Sequence, residues 1–401
     1  GLPCYWNWLM GQTCITKSGG AILSNRLVLG IENLLKDLEP IRGKNVGVIA
    51  NPTSIDTQFR HIVDALYAED GIQLGAIFGP EHGFRGDQDS NIVDAVDPYT
   101  NLPVYSLYGD TQKPTKEMLQ EIDVLLFDIQ DAGVRFYTYI STMVYSMQAA
   151  AENDIEFIVL DRPNPINGIS VEGPVLEEGF ASFVGPYPLP IRHGMTVGEL
   201  AHYFNDEFKI GVKLQVIPME GWKREDWYDD THLKNWVLPS PNLPTLDTAI
   251  VYPGMCLFEG VNVSEGRGTT RPFEMIGAPY INGMELACHL NHRKLPGAIF
   301  RQASFIPFYR KYINETVHGV QIHVLDRNAF EPVRTGIEIL TAIRELYPTQ
   351  LEFREEYFDR LAGNAWIRQA IGAGESAEAI AARWQKGLEE FEVVRGKYLL
   401  Y

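Results

Sequence analysis

The stretch "QLGAIFGPEHGFRG", Gln73 to Gly86, decides the fold. It begins as an apolar run, Leu74 to Phe78, and stops at Gly79-Pro80. A short continuous apolar run closed by Gly or Pro reads as a strand buried on both faces. The same reading applies to "NVGVIANPT" (45–53), "PVYSLYG" (103–109), "VLLFDIQD" (124–131) and "EFIVLDRPNP" (156–165). Between these runs, Phe59, Ile62, Val63, Leu66 and Tyr67 recur at helical spacing, as do Ile140, Met143, Val144 and Met147. Strands alternating with amphipathic helices predict an α/β fold with a mostly parallel sheet covered on both sides. "KLQVIPM" (213–219) and "TAIVYPGMCLFEG" (248–260) also read as strands, joined by the Pro-rich connection "PSPNLPT" (239–245). Thr196 to Glu199 forms a T-x-x-E capping box, with Met195 and Leu200 placed as a hydrophobic staple, so a helix starts there. From about residue 286 the pattern becomes largely helical around one strand, "GVQIHVLD", and closes on a helix-forming stretch, 377–401. The plan is an N-terminal extension (1–26), a sheet domain (27–285) and a smaller C-terminal α/β domain (286–401).

Composition narrows the partners. The chain has 401 residues, 45% of them hydrophobic, and a formal net charge of −18. Such a charge disfavours nucleic acid and anionic membrane surfaces, which need clustered Lys and Arg. No apolar run reaches membrane-spanning length. Of the four cysteines, Cys4, Cys14, Cys256 and Cys288, none forms a C-x-x-C pair. Cys4 and Cys14 suit either a disulfide of an exported protein or two free thiols. The stretch 1–21 has no basic segment ahead of an apolar one, so it is not an intact signal peptide; Gly1 is consistent with a removed export signal.

Ligands of open parallel sheets bind outside the carboxyl ends of the strands. Several runs deliver acids and bases there: Glu81, His82 and Arg85 after one strand, Asp128 and Asp131 after a second, Asp161, Arg162 and Asn164 after a third. Asp and Asn at such positions also serve as caps and turns, and Asp131 is spaced to pair with Arg135. The Glu81–His82–Arg85 loop is the strongest site candidate, because capping needs neither a His nor an Arg. Arg192 and His193 stand just before a helix N-terminus, where an anion would be favoured; an arginine pairing with a neighbouring acid fits equally. "FEGVNVSEGRGTTRPFE" (258–274) adds Glu259, Glu265, Arg267, Arg271 and Thr269. It is not a phosphate loop, since G-K-[ST] is missing, and neither G-x-G-x-x-G nor G-x-S-x-G occurs. Without H-E-x-x-H or clustered histidines, neither metal nor cofactor is expected. A carboxylate-rich cleft with aromatic walls (Tyr137, Tyr139, Phe258 and Phe273 are candidates) suits glycoside hydrolysis, with Glu81 as the general acid.

Taken together, "NPTS", "FGPEHGFRG", "FDIQDAGVRFYTY", "LDRPNPING", "IRHGMTVGELA", "FEGVNVSEGRGTTRPFEMIGAP" and "YLLY" resemble the exo-β-N-acetylmuramidase family typified by NamZ. The resemblance covers about residues 27 to 401. It implies a Rossmann-like catalytic domain with an auxiliary C-terminal domain, and release of N-acetylmuramic acid (MurNAc) from non-reducing ends of peptidoglycan fragments such as MurNAc-GlcNAc. It implies Glu81 as the catalytic glutamate with His82 beside it, and an extracytoplasmic, periplasmic or secreted, bacterial protein. Asp131 or Asp161 is then the second catalytic group, acting as base, nucleophile or orienter of the substrate's N-acetyl group. Arg192, Arg85 or Arg267 would receive the lactyl carboxylate, among a binding set of Asp128, Arg162, Asn164, His193, Glu265 and Thr269. Two other classes share this cleft: a non-catalytic binding protein for cell-wall sugars, and a nucleotide-dependent enzyme, which the missing Gly fingerprint disfavours.

Overall fold

A computed structural model describes residues 27–84, 95–233 and 236–401. The extension 1–26, the Cys4–Cys14 pair and Arg85 lie outside the described residues. The expected runs form one seven-stranded sheet in the order β3-β4-β2-β1-β5-β6-β9. Its members are β1 (Asn45–Ala50), β2 (Gln73–Gly79), β3 (Ala95–Val96), β4 (Pro103–Ser106), β5 (Val124–Asp128), β6 (Glu156–Leu160) and β9 (Lys213–Ile217). Every pairing is parallel except β3 with β4. Alternate side chains of one strand enter opposite cores: Leu125 and Phe127 pack on one face, Val124 and Leu126 on the other. That two-sided burial is why the strands read as unbroken apolar runs. The chain leaves β1 toward β2 on one side and returns to β5 on the other. The carboxyl end of β1 is therefore the switch point of the sheet, where open α/β sheets bind ligands.

The capping box forms as its sequence predicts: Thr196 Oγ1 accepts from Glu199 N at 3.3 Å, and Glu199 Oε2 accepts from Thr196 N at 3.0 Å. The helix Val197–Glu207 follows, with Met195 and Leu200 both buried in one core. Phe59, by contrast, lies outside its helix, Ile62–Tyr67, and is exposed.

One predicted strand is a helix. "TAIVYPGMCLFEG" folds as Leu246–Met255 and continues as a 3-10 turn, Cys256–Gly260. Thr245 caps it by accepting from Thr248 N at 3.2 Å. The helix is buried on nearly every side, so its apolar run carries no helical stripe and periodicity could not separate it from a strand. The helix Pro332–Leu346 packs against it through glycine: a Cβ on Gly254 would stand 1.8 Å from the Pro332 carbonyl oxygen, and one on Gly336 2.6 Å from the Gly254 oxygen. The two backbones touch because neither glycine has a side chain.

The second sheet is antiparallel, β10-β12-β11, from Met275–Ala278, Val317–Val324 and Ala298–Phe305. A division at 285/286 would cut the helix Gly283–His292 and separate β10 from its partner β12. The terminal helix runs Ala377–Arg395, and residues beyond it turn back onto the first sheet. Tyr401 Oη donates to Asp161 Oδ2 at 2.7 Å and accepts from Met219 N at 2.8 Å. The Tyr401→Phe variant removes both bonds and leaves a buried N–H unpaired. We expect it to lose about 1–3 kcal/mol of stability, read as a lower denaturant midpoint at unchanged slope.

Candidate active site

A cavity of about 610 Å³ opens between the carboxyl edge of the first sheet and the C-terminal loops. Glu81 and His82 enter it directly after β2, on a turn closed by Gly83 N donating to Pro80 O at 2.9 Å. His82 and Gly83 both hold the left-handed conformation, at φ 70° and 79°. Glu81 Oε2 accepts from Thr138 Oγ1 at 2.6 Å, and His82 Nε2 lies 4.0 Å from Glu81 Oε1. The Tyr108 phenol also faces Glu81. Burial first, and then the Glu81 charge, raise its pKa to about 12. Aromatic rings form one wall: Tyr139 against Tyr137 at 4.9 Å, Tyr137 against Tyr252 at 5.8 Å and Tyr252 against Phe273 at 4.8 Å between centroids. Phe258, expected among them, is wholly buried and does not line the cavity.

The cavity carries a second carboxylate, Glu259, close to Tyr252 and Phe273 through Cys256 and Arg267. Its Oε2 accepts from Tyr357 Oη at 2.9 Å and lies 3.0 Å from the Arg267 guanidinium. Burial pushes the Glu259 carboxyl above its ordinary range, against the opposing pull of Arg267. Arg267 also binds Glu265 through Nε at 2.6 Å. Lys311 completes the group, donating to Phe258 O, Val263 O and Glu265 Oε2 at 2.6, 2.9 and 2.8 Å. Burial acts to raise Glu265, but Lys311 and Arg267 outweigh it and hold this carboxyl low. Two acids and two bases thus fix the wall by mutual pairing. Arg310 and Arg354 stand at the exposed mouth.

Of the residues expected from sequence, Glu81, His82, Tyr137, Tyr139, Glu259, Arg267 and Phe273 line this cavity and Glu265 lies just behind it. The others serve elsewhere. Asp161 is buried and accepts from Arg162 N, Gly198 N, Thr196 Oγ1 and Tyr401 Oη, which makes it a clamp between β6 and the helix Val197–Glu207. Its burial raises the carboxyl to about 6 in spite of these donors. Asp128 is buried and pairs with Arg162, whose Nη2 reaches Oδ2 at 2.9 Å. Asn164 forms a turn, donating to Met195 O and accepting from Ile166 N. Arg192 is buried off the cavity, donating to Ile166 O and lying over Trp227. Thr269 donates to Gly266 O within its loop. His193 accepts from Met195 N through Nδ1, and its Nε2 lies 3.4 Å from Asp131 Oδ2, whose other contact is Gly133 N. Asp131 does not pair with Arg135, which binds the carbonyls of Pro174, Leu189 and Leu361. Sequence reasoning named Glu259 without giving it a catalytic role, and missed Tyr108, Thr138, Arg310, Lys311 and Tyr357. The crowded "FYRKY" at 308–312 was the available signal for two of them.

Among the described residues, no group of three or more His, Cys, Asp or Glu could hold a metal ion, and no helix is long and apolar enough to cross a membrane. Two carboxylates and aromatic rings around one cavity suit a glycoside hydrolase. Models of the family described as exo-β-N-acetylmuramidase NamZ match residues 46–247 with its N-terminal part and 250–401 with its C-terminal part. The peptidoglycan β-N-acetylmuramidase NamZ of Bacillus subtilis (strain 168) is 52% identical over 376 residues, 93% of this chain and 91% of the relative. The chain belongs to the NamZ exo-β-N-acetylmuramidase family. Crystal structures of two DUF1343 family proteins from Bacteroides fragilis NCTC 9343 superpose with TM-scores of 0.89 and 0.78, at 41% and 35% identity. Each alignment covers 94% of this chain and 99% of the other.

Removing Lys311 leaves Glu265 buried beside a single arginine that it shares with Glu259. The Lys311→Met variant is therefore expected to be about 3 kcal/mol less stable in denaturant titration at pH 7. Glu265 is held low, so its contribution is present above the unfolded carboxyl value of about 4.3 and fades as pH falls through the lower folded value. The difference between Lys311→Met and the parent should shrink in that acidic range.

Proposed function

We propose that this chain is an exo-acting β-N-acetylmuramidase, releasing N-acetylmuramic acid from non-reducing ends of peptidoglycan fragments, with Glu81 as general acid. The observation that carries the reading is the placement of Glu81. It leaves β2, the strand beside the switch point of the sheet, and enters a cavity sized for sugar rings that the second carboxylate, Glu259, also lines. Aromatic faces suit the apolar side of a pyranose. In this mechanism Glu81 protonates the glycosidic oxygen while the aglycone leaves. Thr138 and Tyr108 hold its carboxyl in place, and their hydroxyls can turn to accept a hydrogen bond from the protonated form. Glu259 replaces Asp131 and Asp161 as the second group, because it faces the cavity and they are engaged elsewhere. It acts on water, on the anomeric carbon or on the N-acetyl group.

One observation favours the reverse assignment. Burial keeps Glu259 above the ordinary carboxyl range, as a general acid needs, while two hydroxyls can donate to Glu81, as an ionised base prefers. Leaving-group dependence separates the two. An acid variant loses about 10²–10⁴-fold on a natural disaccharide but much less on a p-nitrophenyl glycoside, whose leaving group scarcely needs a proton. We expect this pattern for Glu81→Gln and an equal loss on both substrates for Glu259→Gln. The opposite pattern exchanges the roles, and full activity of Glu81→Gln on both substrates would remove Glu81 from the chemistry.

The substrate is wall material, so the same reading locates the enzyme outside the cytoplasmic membrane and gives it a part in cell-wall recycling. Recovery of the activity only from the cytoplasm of fractionated cells would contradict that location.

A further inference from the structure

N-acetylmuramic acid differs from N-acetylglucosamine by a lactyl ether carrying one carboxylate. A cavity that holds Glu81 and Glu259, in a chain of net charge −18, repels such a group unless a cation is available to receive it. Four cations line the cavity: Arg267, Lys311, Arg310 and Arg354. Arg267 is divided between Glu259 and Glu265. All three N–H donors of Lys311 are used, on Phe258 O, Val263 O and Glu265. Arg192, the sequence candidate, is buried off the cavity.

Resting on the muramidase reading above, we infer that Arg310 is the receptor for the lactyl carboxylate, and so separates muramic acid from glucosamine substrates.

Three observations support the choice. First, no carboxylate among the described residues pairs with Arg310, although it stands at the mouth of an acidic cavity; its guanidinium lies over the Tyr309 ring, 4.6 Å from the centroid. Second, the segment carrying it is fastened. Phe308 N donates to Gly268 O at 3.0 Å, and Lys311 next door is anchored by its three acceptors. Gly268, at φ 85°, lets the two loops touch: a Cβ there would stand 2.6 Å from Tyr309 N. A fixed guanidinium costs less to use than a free one, and its fork matches a carboxylate. Third, its field reaches the Glu81 side of the cavity, where it lowers the Tyr108 phenol pKa against the larger effects of burial and Glu81. The lactyl group stands on the same sugar ring whose glycosidic bond is broken, so its receptor must lie near the catalytic acid. Arg354 stands just before the helix Glu355–Ala362 that brings Tyr357 to Glu259, and no influence of its charge on the Tyr108 phenol is seen.

The experiment compares p-nitrophenyl β-N-acetylmuramide with its lactyl methyl ester, which keeps the shape and loses the charge. Parent, Arg310→Ala, Arg310→Lys and Arg354→Ala are assayed on both. Arg310→Ala should raise KM for the acid about tenfold and leave the ester unchanged, Arg310→Lys should recover part of the loss, and Arg354→Ala should keep the parent's discrimination. Equal effects of Arg310→Ala on acid and ester, no effect on either, or a selective loss in Arg354→Ala instead would overturn the assignment while parent turnover upholds the muramidase reading. No parent turnover of the muramide would overturn that reading, and the assignment with it. Arg310 is exposed, so melting curves of these variants should coincide with the parent and confirm that folding is not what changed.

Discussion

The architecture depends on how one buried charge is satisfied. Arg135 is fully enclosed and has no carboxylate partner among the described residues; burial alone brings its guanidinium down to about 9. It is held instead by three carbonyls, of Pro174 and Leu189 from the hairpin β7–β8 (Glu172–Val175 and Pro190–Arg192) and of Leu361 from the helix Glu355–Ala362. Losing any of these would leave a cation in a low-dielectric interior, at a cost of several kcal/mol. The hairpin and the C-terminal helix are therefore tied to the segment that leaves β5. That segment continues as Phe136, Tyr137, Thr138 and Tyr139, the aromatic wall and the hydroxyl on Glu81. One arginine thus sets the carboxyl edge of the sheet relative to the C-terminal elements that line the cavity.

The cavity itself is built from two kinds of rigidity. On the sheet side, geometry comes from strand ends and left-handed turns, as at His82 and Gly83. On the loop side it comes from pairing, since Glu259, Arg267, Glu265 and Lys311 each restrict another. Such a network adds little net stability compared with apolar packing, but it specifies one arrangement of groups. The ordering cost of the site is met during folding, and little remains to be met on binding.

This division explains what could be read from the sequence. The parallel sheet, the capping box at Thr196 and the strand-end position of Glu81 are local patterns, and each survives in the structure. Polar residues at strand ends were ambiguous because caps, turns and catalytic groups use the same side chains. Asp161 and Asn164 proved to be a clamp and a turn and Glu81 a cavity residue, although all three follow core strands, and Arg192 is spent inside β8 on Ile166 O. Glu259, Lys311, Arg310 and Tyr357 approach the cavity from elements distant in sequence, so no spacing rule connected them with Glu81. The helix Leu246–Met255 was hidden for the opposite reason: complete burial removed the periodicity that marks a helix.

That helix has a further consequence through Gly254 and Gly336. Their backbone contact fixes the distance between two helices, one of which carries Tyr252 and leads into Cys256 and Glu259. A methyl group at either position would have to drive the helices apart and carry part of the cavity wall with them. The width of the sugar pocket is accordingly encoded at two glycines, neither of which lines it. An added carbon there can only widen the pocket, and it leaves every group that lines the pocket chemically unaltered.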